Sequence, residues 1–133
     1  MNITNSNQFT FFIRDLLEYL GIHYLNIKTD EALVFRCNGY ECRIENANSL
    51  QKNSILLFVK LNLTLDSARY LIQLNSDFPK LLDSYLCHNN SLGICLVRHT
   101  AILSSPQLVL DFIVETAGIA DLVKEELSKY DID

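Results

Sequence analysis

Apolar and polar positions alternate with different periods along this chain, and each period predicts a different element. Near the N-terminus, apolar side chains recur every three or four positions, which is typical of a helix that packs on one face. This stripe consists of Phe9, Phe12, Ile13, Leu16, Leu17 and Leu20. Because Ser6 can cap the start of the helix and Gly21 can end it, the spacing predicts a first helix over residues 7–20.

The pattern around Asn38-Gly39 predicts a β-hairpin. Apolar side chains occupy alternate positions on both sides of this turn, at Leu33, Phe35, Cys37, Tyr40, Cys42 and Ile44. A two-residue turn of the mirror-image type requires positive φ at both positions, and Asn-Gly tolerates this best. The predicted register pairs Cys37 with Tyr40 and places all six apolar side chains on one face. Arg36 then lies opposite Glu41 on the other face, as an oppositely charged cross-strand pair.

The next segments add three strands and a helix. Residues 55–63 form a strand that is apolar on both faces at first, as expected of a central strand. A second helix follows over residues 64–78 and ends there because the next residue is a proline. Residues 81–88 and 92–102 form a second hairpin around Asn89-Asn90-Ser91.

A last helix is predicted from Ser105-Pro106 to about Ser128. Its first half, residues 108–114, is apolar nearly all round and therefore needs cover on more than one side. Gly118 in its middle favours a close approach by another element. The complete order, α-β-β-β-α-β-β-α, predicts the α+β class with a five-stranded antiparallel sheet and helices packed on it, in a single domain over residues 1–133.

Composition indicates a folded protein outside the membrane. Apolar residues make up 49% of the chain and charged residues 20%, which excludes a disordered chain. The longest purely apolar run, residues 55–59, is far shorter than the roughly 20 residues of a membrane span. The polar N-terminus lacks a secretory signal and the four cysteines fit reduced thiols, so we expect a cytoplasmic protein without disulfides.

The net charge of −5 comes entirely from the last helix and the tail. Residues 1–105 carry nine acidic and nine basic side chains, whereas residues 106–133 carry seven acidic and two basic ones. This distribution argues against binding to nucleic acid or to an anionic membrane, because both need a basic surface. The acidic helix is either a solvated face that aids solubility or a surface that attracts a basic partner.

No cluster in the sequence has the spacing of a catalytic, metal or phosphate site. Cys87 and His88 are adjacent on a predicted strand and point to opposite faces, so they are not a zinc-ligand pair. Cys95 with His99 is the candidate nucleophile pair. The four glycines are not clustered, which excludes a phosphate-binding loop of known type. We therefore predict a protein that is not an enzyme and that needs no cofactor and no metal.

Several apolar side chains lie outside the predicted inner faces. They are Phe11, Val34, Phe58, Tyr70, Leu74 and Tyr85. One or two such residues carry no information, but several in a small domain favour a self-association surface, a partner groove or both. The alternative is that the faces are assigned wrongly and that these residues belong to the core.

The layout resembles that of the class I type III secretion chaperones. The similarity rests on the end of the first helix at residues 16–22, the hairpin over residues 33–44, the strand over residues 55–63 with its following helix, and the apolar last helix. The YbjN-like family, a group of proposed sensory transduction regulators, shares this fold, and residues 74–121 are at least as similar to it. The chain has Asn89-Asn90-Ser91 where many effector chaperones carry a glycine-rich turn.

The resemblance implies a cytoplasmic homodimer that binds an extended segment of a secreted bacterial effector, in the service of virulence, without ATP. The implied dimer interface contains Tyr70, Leu71, Leu74 and Tyr85. The implied partner-binding residues are Phe11, Phe12, Val34 and Phe58, which would anchor apolar side chains beside the first helix and the sheet, with strand addition at a sheet edge as a further mode. The alternative is a YbjN-like regulator or adaptor that binds a folded protein.

Overall fold

The computed structural model describes residues 3–19, 32–63, 83–102 and 105–128. These residues form two helices and five strands. In chain order they are α1 (Ile3–Tyr19), β1 (Leu33–Cys37), β2 (Tyr40–Asn46), β3 (Ser54–Lys60), β4 (Ser84–Asn89), β5 (Gly93–Ala101) and α2 (Pro106–Ser128). The second helix predicted over residues 64–78 lies outside the described residues. None of the described helices is long and apolar enough to cross a membrane.

The five strands form one antiparallel sheet in the order β1-β2-β3-β5-β4. Strand β3 lies in the centre, which explains why its sequence is apolar on both faces. Strands β1 and β4 are the two edges. The α+β class and the antiparallel five-stranded sheet predicted from the sequence are confirmed.

The first hairpin has the predicted register. Cys37 pairs with Tyr40, Phe35 with Cys42 and Leu33 with Ile44. The turn has φ of 50° at Asn38 and 86° at Gly39, so both positions adopt the left-handed conformation that a two-residue mirror-image turn needs. Turn chemistry and apolar alternation therefore fix the same pairing.

The second hairpin is shifted slightly from its prediction. Asn89 pairs with Gly93, so the loop consists of Asn90, Ser91 and Leu92 and begins one residue later than expected. Gly93 has a φ of 78°, in the left-handed region that glycine adopts without a steric penalty. This glycine ends the loop and begins β5.

Both described helices pack on the same face of the sheet and enclose the main core. Its fully buried side chains come from α1, from the inner positions of the strands and from α2. Buried members of this core include Phe9, Ile13, Leu16, Ile44, Leu57, Leu96, Val109 and Ile113. Each such side chain stabilises the fold by about 1.5–3 kcal/mol when it leaves water, so this layer supplies most of the driving force.

The helix starts follow the sequence in one case and not in the other. Helix α2 begins at Pro106, and Ser105 Oγ accepts the N–H of Leu108 at 3.2 Å, so the predicted cap is confirmed. Helix α1 begins at Ile3, so Ser6 lies within the helix and the prediction that it caps the start is wrong. Residues 3–5 contain neither proline nor glycine, and no residue there blocks the extra turn.

Gly118 also differs from its prediction. It is exposed, and a Cβ placed on it would meet no heavy atom within 4 Å. The expected close approach by another element is therefore absent at this position, as far as the described residues extend.

Side-chain contacts join helix α2 to the sheet at two places, one at β5 and one at β2. At the β5 side, the Arg98 guanidinium contacts Asp83 and Glu115, each at 2.6 Å, and lies 4.5 Å from the centre of the Phe112 ring. At the β2 side, the Tyr40 hydroxyl donates a hydrogen bond to Asp121. These contacts join side chains far apart in sequence and fix the helix across the sheet.

Candidate functional site

An apolar groove lies between α1, the edge strand β1 and α2. It has a volume of about 450 Å³. All five residues of β1 line it, together with Leu16 and Leu17 of α1 and Leu110, Ile113 and Val114 of α2. A cavity of this size and apolar character falls within the range of binding sites for small molecules or for a few side chains of another protein.

The strand that forms the floor of the groove has a free hydrogen-bonding edge among the described residues, because β1 pairs only with β2. In a hairpin closed by a two-residue turn, the closing pair exchanges both backbone hydrogen bonds and the next pair exchanges none. Cys37 with Tyr40 is the closing pair, so the backbone N–H and C=O groups of Val34 and Arg36 point away from β2. They are available to an added strand.

The α2 wall of the groove explains the apolar first half of that helix. Ile113 is buried, whereas Leu110 is partly buried and Val114 is exposed, so successive turns present apolar surface from the core outward to the groove. The prediction that this segment needs cover on more than one side is met by the sheet and by α1. Val114 remains open to solvent along the groove.

Arg36 is the one charged residue among the described residues that line the groove. It is exposed, and within the described part of the chain it forms no ion pair at 4.0 Å or less, not even with its register partner Glu41. Three acidic residues of the neighbouring helix already have partners. Asp111 accepts from Gln107, Glu115 pairs with Arg98, and Asp121 accepts from Tyr40. Among the described residues, Arg36 thus places one positive charge without an ion pair at the edge of the apolar groove.

The thiols next to the groove are protonated at neutral pH. Burial raises the pKa of Cys37, and burial together with the nearby Cys37 raises that of Cys42 to about 11. Cys42 Sγ lies 3.7 Å from the Tyr40 carbonyl oxygen, toward which it donates. Because the thiolate is the reactive form, these cysteines act as small apolar residues.

The described residues do not assemble a metal or nucleophile site. No group of three His, Cys, Asp or Glu side chains within residues 3–19, 32–63, 83–102 and 105–128 could hold a metal ion. Cys95 and His99 lie on the same face of β5 but four residues apart, which is about 13 Å along a strand and too far for a hydrogen bond. Burial also raises the pKa of Cys95 to about 12. Cys95 and His99 therefore do not form a nucleophile pair.

Two of the four expected partner-binding residues are exposed. Phe11 is 54% exposed on α1, and Val34 is 59% exposed at the floor of the groove. Phe12 is only 7% exposed and packs in the main core, and Phe58 is 8% exposed in a second cluster with Cys95 and Val97 on the opposite face of the sheet. Packing against their neighbours removes Phe12 and Phe58 from solvent, so neither adds to the exposed surface beside the groove.

Of the four residues expected at a dimer interface, Tyr85 is described. It is 45% exposed on the edge strand β4, at the opposite border of the sheet from the groove. Burial, followed by the nearby Cys87, raises the pKa of its hydroxyl. Tyr70, Leu71 and Leu74 lie outside the described residues.

Solved structures with the same arrangement of elements come from protein–protein complexes. A chain of the crystal structure of the ExsC–ExsE complex matches with a TM-score of 0.70 at 10% identity, covering 92% of this chain and 95% of that one. A chain of the heterodimeric ExoU–SpcU complex from the type III secretion system of Pseudomonas aeruginosa matches with a TM-score of 0.51 at 20% identity, covering 88% of this chain and 93% of that one. The fold is type III secretion chaperone-like. The predicted resemblance is thereby confirmed at the level of the fold.

No protein-family model matches the chain, and no curated protein matches its sequence. The similarity to these solved structures is therefore a similarity of fold. Within the described residues of this chain, the edge strand β1 is flanked by both helices, and the groove along it is lined by apolar residues and a single arginine.

Proposed function

We propose that this protein is a cytoplasmic chaperone that binds an extended segment of a type III secretion substrate in the groove along β1. The observation that carries the proposal is that β1 has an edge that no other described strand covers, next to an apolar groove on the helix-covered side of the same strand. An added strand would satisfy the backbone groups of Val34 and Arg36, and its alternate side chains would enter the groove. Binding of this kind requires no bond chemistry and no cofactor.

Support comes from the energetics of the edge. An unpaired strand edge next to apolar surface is a liability that folded proteins normally cover, so an edge left open beside a groove favours a partner that covers it. The structural neighbours were solved as complexes of two different proteins, which agrees with a binding role for this fold.

We further propose that the protein is a homodimer whose interface includes Tyr85. Strand β4 lies at the opposite border of the sheet from β1, so a two-fold contact near β4 leaves both grooves open. Sedimentation equilibrium is expected to give twice the mass of one chain. Tyr85→Asp is expected to yield monomers, whereas Leu50→Asp, an equally drastic change at an exposed site in the β2–β3 loop, is expected to leave the dimer intact.

The test of the binding proposal uses two variants of one helix. Val114 and Leu108 are similarly exposed on α2, but only Val114 lines the groove. The tagged protein is isolated from its native cells, the co-purifying protein is identified by mass spectrometry, and its contact region is mapped by limited proteolysis. We expect Val114→Asp to reduce capture at least about ten-fold and Leu108→Asp to leave it within about two-fold, because a charge in the groove would be desolvated by the bound segment.

The proteolysis pattern separates the proposal from its alternative. A bound segment that stays extended is protected only along its contact length. Protection spread over a folded domain of the partner would indicate a YbjN-like adaptor instead. Equal capture by Val114→Asp and by the unmodified protein would show that the groove is not the binding site.

A further inference from the structure

Arg36 combines two properties that meet at no other described residue of the groove. Its backbone N–H and C=O point to the edge that no other described strand covers, and it is the one charged residue among the described residues that line the groove. Its side chain is exposed and forms no ion pair with another described residue. An added strand at this position therefore meets both the backbone hydrogen-bonding groups of Arg36 and a guanidinium that has no ion pair among the described residues.

The alternation of β1 determines which side chains of an added strand enter the groove. Leu33, Phe35 and Cys37 face the helices, whereas Val34 and Arg36 face the other side of the sheet. Side chains of neighbouring strands in register share a face, so the residue beside Arg36 points away from the groove. The residues before and after it point into the groove, beside Phe35 and Cys37. This pattern is the same for a parallel and an antiparallel added strand.

We propose that Arg36 selects bound segments that carry an Asp or Glu beside it, flanked on both sides by apolar residues. The inference rests on the proposed function, since it concerns the chemistry of the segment that the β1 groove takes. The occupant is a stretch of about five extended residues, matching the length of β1, with the sequence pattern apolar–acidic–apolar at its Cys37 end.

Charge complementarity supports this choice of occupant. A guanidinium has five N–H donors in a planar arrangement and pairs with carboxylates in two parallel hydrogen bonds. Glu41 lies on β2 directly opposite Arg36, and the two form no ion pair, so the guanidinium donors remain for a carboxylate of the added strand. An added strand with a Lys or Arg at this position would place like charges side by side.

The same side chain would also reject unsuitable strands. A charged residue on an exposed edge discourages pairing with purely apolar strands, because its charge would face an apolar side chain. Specificity would then come from both the favourable acid pair and the disfavoured alternatives.

Selection from a phage library of random twelve-residue peptides on the immobilised full-length protein tests the inference. We expect enriched peptides to contain an acidic residue between two apolar ones. Replacing that acid by Lys in the best peptide is expected to weaken binding at least about five-fold by fluorescence polarisation, the size that follows when an exposed ion pair becomes a like-charge pair. Arg36→Glu is expected to reverse the preference, and Lys52→Glu, the same charge change at an exposed site outside the groove, to preserve it.

The groove variant Val114→Asp separates failure of this inference from failure of the proposed function. If peptide binding is lost in this variant but shows no acid preference and no response to Arg36→Glu, the selection by Arg36 is refuted and the groove remains the binding site. If no peptide is enriched, or if the enriched peptides bind Val114→Asp as well as the unmodified protein, the proposed site is refuted together with the inference.

Discussion

Arg98 is the side chain that joins helix α2 to the β4–β5 border of the sheet. It is nearly buried, and it reaches two carboxylates, the Thr116 hydroxyl at 3.2 Å and the face of the Phe112 ring. Its two acidic partners are more than half exposed, so water screens these ion pairs and each is weaker than a buried pair. Arg98 therefore stabilises the fold through several contacts, each of them modest.

We expect Arg98→Ala to lower the free energy of unfolding by about 2 kcal/mol, because it removes hydrogen bonds to charged groups and the contact with the Phe112 ring. Arg14→Ala is the matched control. That arginine is exposed on α1 and lies over the ring of Phe11 alone, so its loss should cost less than about 0.5 kcal/mol. Urea denaturation measures the free energy of unfolding of both variants, provided that the m-value is the same in each. Equal losses for the two variants would contradict the role of Arg98.

Two glycines should respond in opposite directions to the same substitution. Gly118 lies in the middle of α2 with open space where a Cβ would go, so Gly118→Ala is expected to stabilise the fold by about 0.5–1 kcal/mol. Gly39 has a φ of 86° in the first hairpin turn, so Gly39→Ala is expected to destabilise the fold by about 1–2 kcal/mol. Thermal unfolding of both variants checks the pair, and a loss of stability in Gly118→Ala would show that another element contacts that position.

Buried thiols give the fold a dependence on alkaline pH. The pKa of Cys42 is raised from its ordinary value of 9.0 to about 11 and that of Cys95 to about 12, in each case first by burial. Between those values the unfolded chain has lost the thiol proton and the folded chain has kept it, so stability is full below pH 9 and falls as the pH rises towards 11 and 12. Urea titrations from pH 8 upward should show this fall, and the double variant Cys42→Ala, Cys95→Ala should flatten it. An unchanged slope in that variant would assign the effect to other groups.

At the scale of elements, strand β1 is both a part of the core and an open edge. Its inner side chains pack under the helices, while every second residue turns its backbone groups away from β2. The strand thus holds the groove in place from one side and presents unpaired hydrogen-bonding groups on the other.

Amide exchange measured by NMR should resolve these two roles. In the free protein, the amide protons of Phe35 and Cys37 are expected to exchange slowly because they bond to β2, and those of Val34 and Arg36 to exchange at least about ten-fold faster. Addition of a peptide that binds the groove should selectively slow the amide exchange of Val34 and Arg36. Slow exchange at all four positions in the free protein would mean that another element already covers the edge.

The sequence predicts those elements best where local signals agree. The first hairpin follows from Asn38-Gly39 and the alternation around it, and both act within a dozen residues. The inner stripe of α1 also follows from spacing, and Phe12 obeys that spacing although the family resemblance placed it on a binding surface. The start of α1 was not predictable, since a polar residue that can cap a helix can also lie inside one.

The groove could not be predicted from sequence because it exists only after folding. Leu17 and Leu110 lie more than ninety positions apart in the sequence, and each has the pattern of an ordinary core residue. The burial of Phe58 could not be predicted either. This side chain points to the outer face of the sheet, as predicted, but its neighbours on that face bury it. The available sequence signals for the site were Val34, an apolar residue on the outer face, and its neighbour Arg36.

At the scale of the molecule, binding and proposed self-association are assigned to opposite borders of one sheet. Strand β1 and its groove form one border, and β4 with Tyr85 forms the other. The acidic helix α2 extends across the frame, and three of its carboxylates are engaged with Gln107, Arg98 and Tyr40. Three of the carboxylates of this helix therefore serve contacts within the fold, and the charged residue that the described part of the groove presents, Arg36, is positive.

Site-specific photo-crosslinking in native cells tests most directly whether the β1 groove holds an extended segment of another protein. A benzophenone amino acid is placed at Val34, and in a control protein at Leu50, which is exposed but lies outside the groove. We predict that the Val34 probe crosslinks to one short, contiguous stretch of a single secreted protein and that the Leu50 probe does not. Crosslinks from Val34 that scatter over a folded domain, or that match those from Leu50, would contradict the proposed chaperone function.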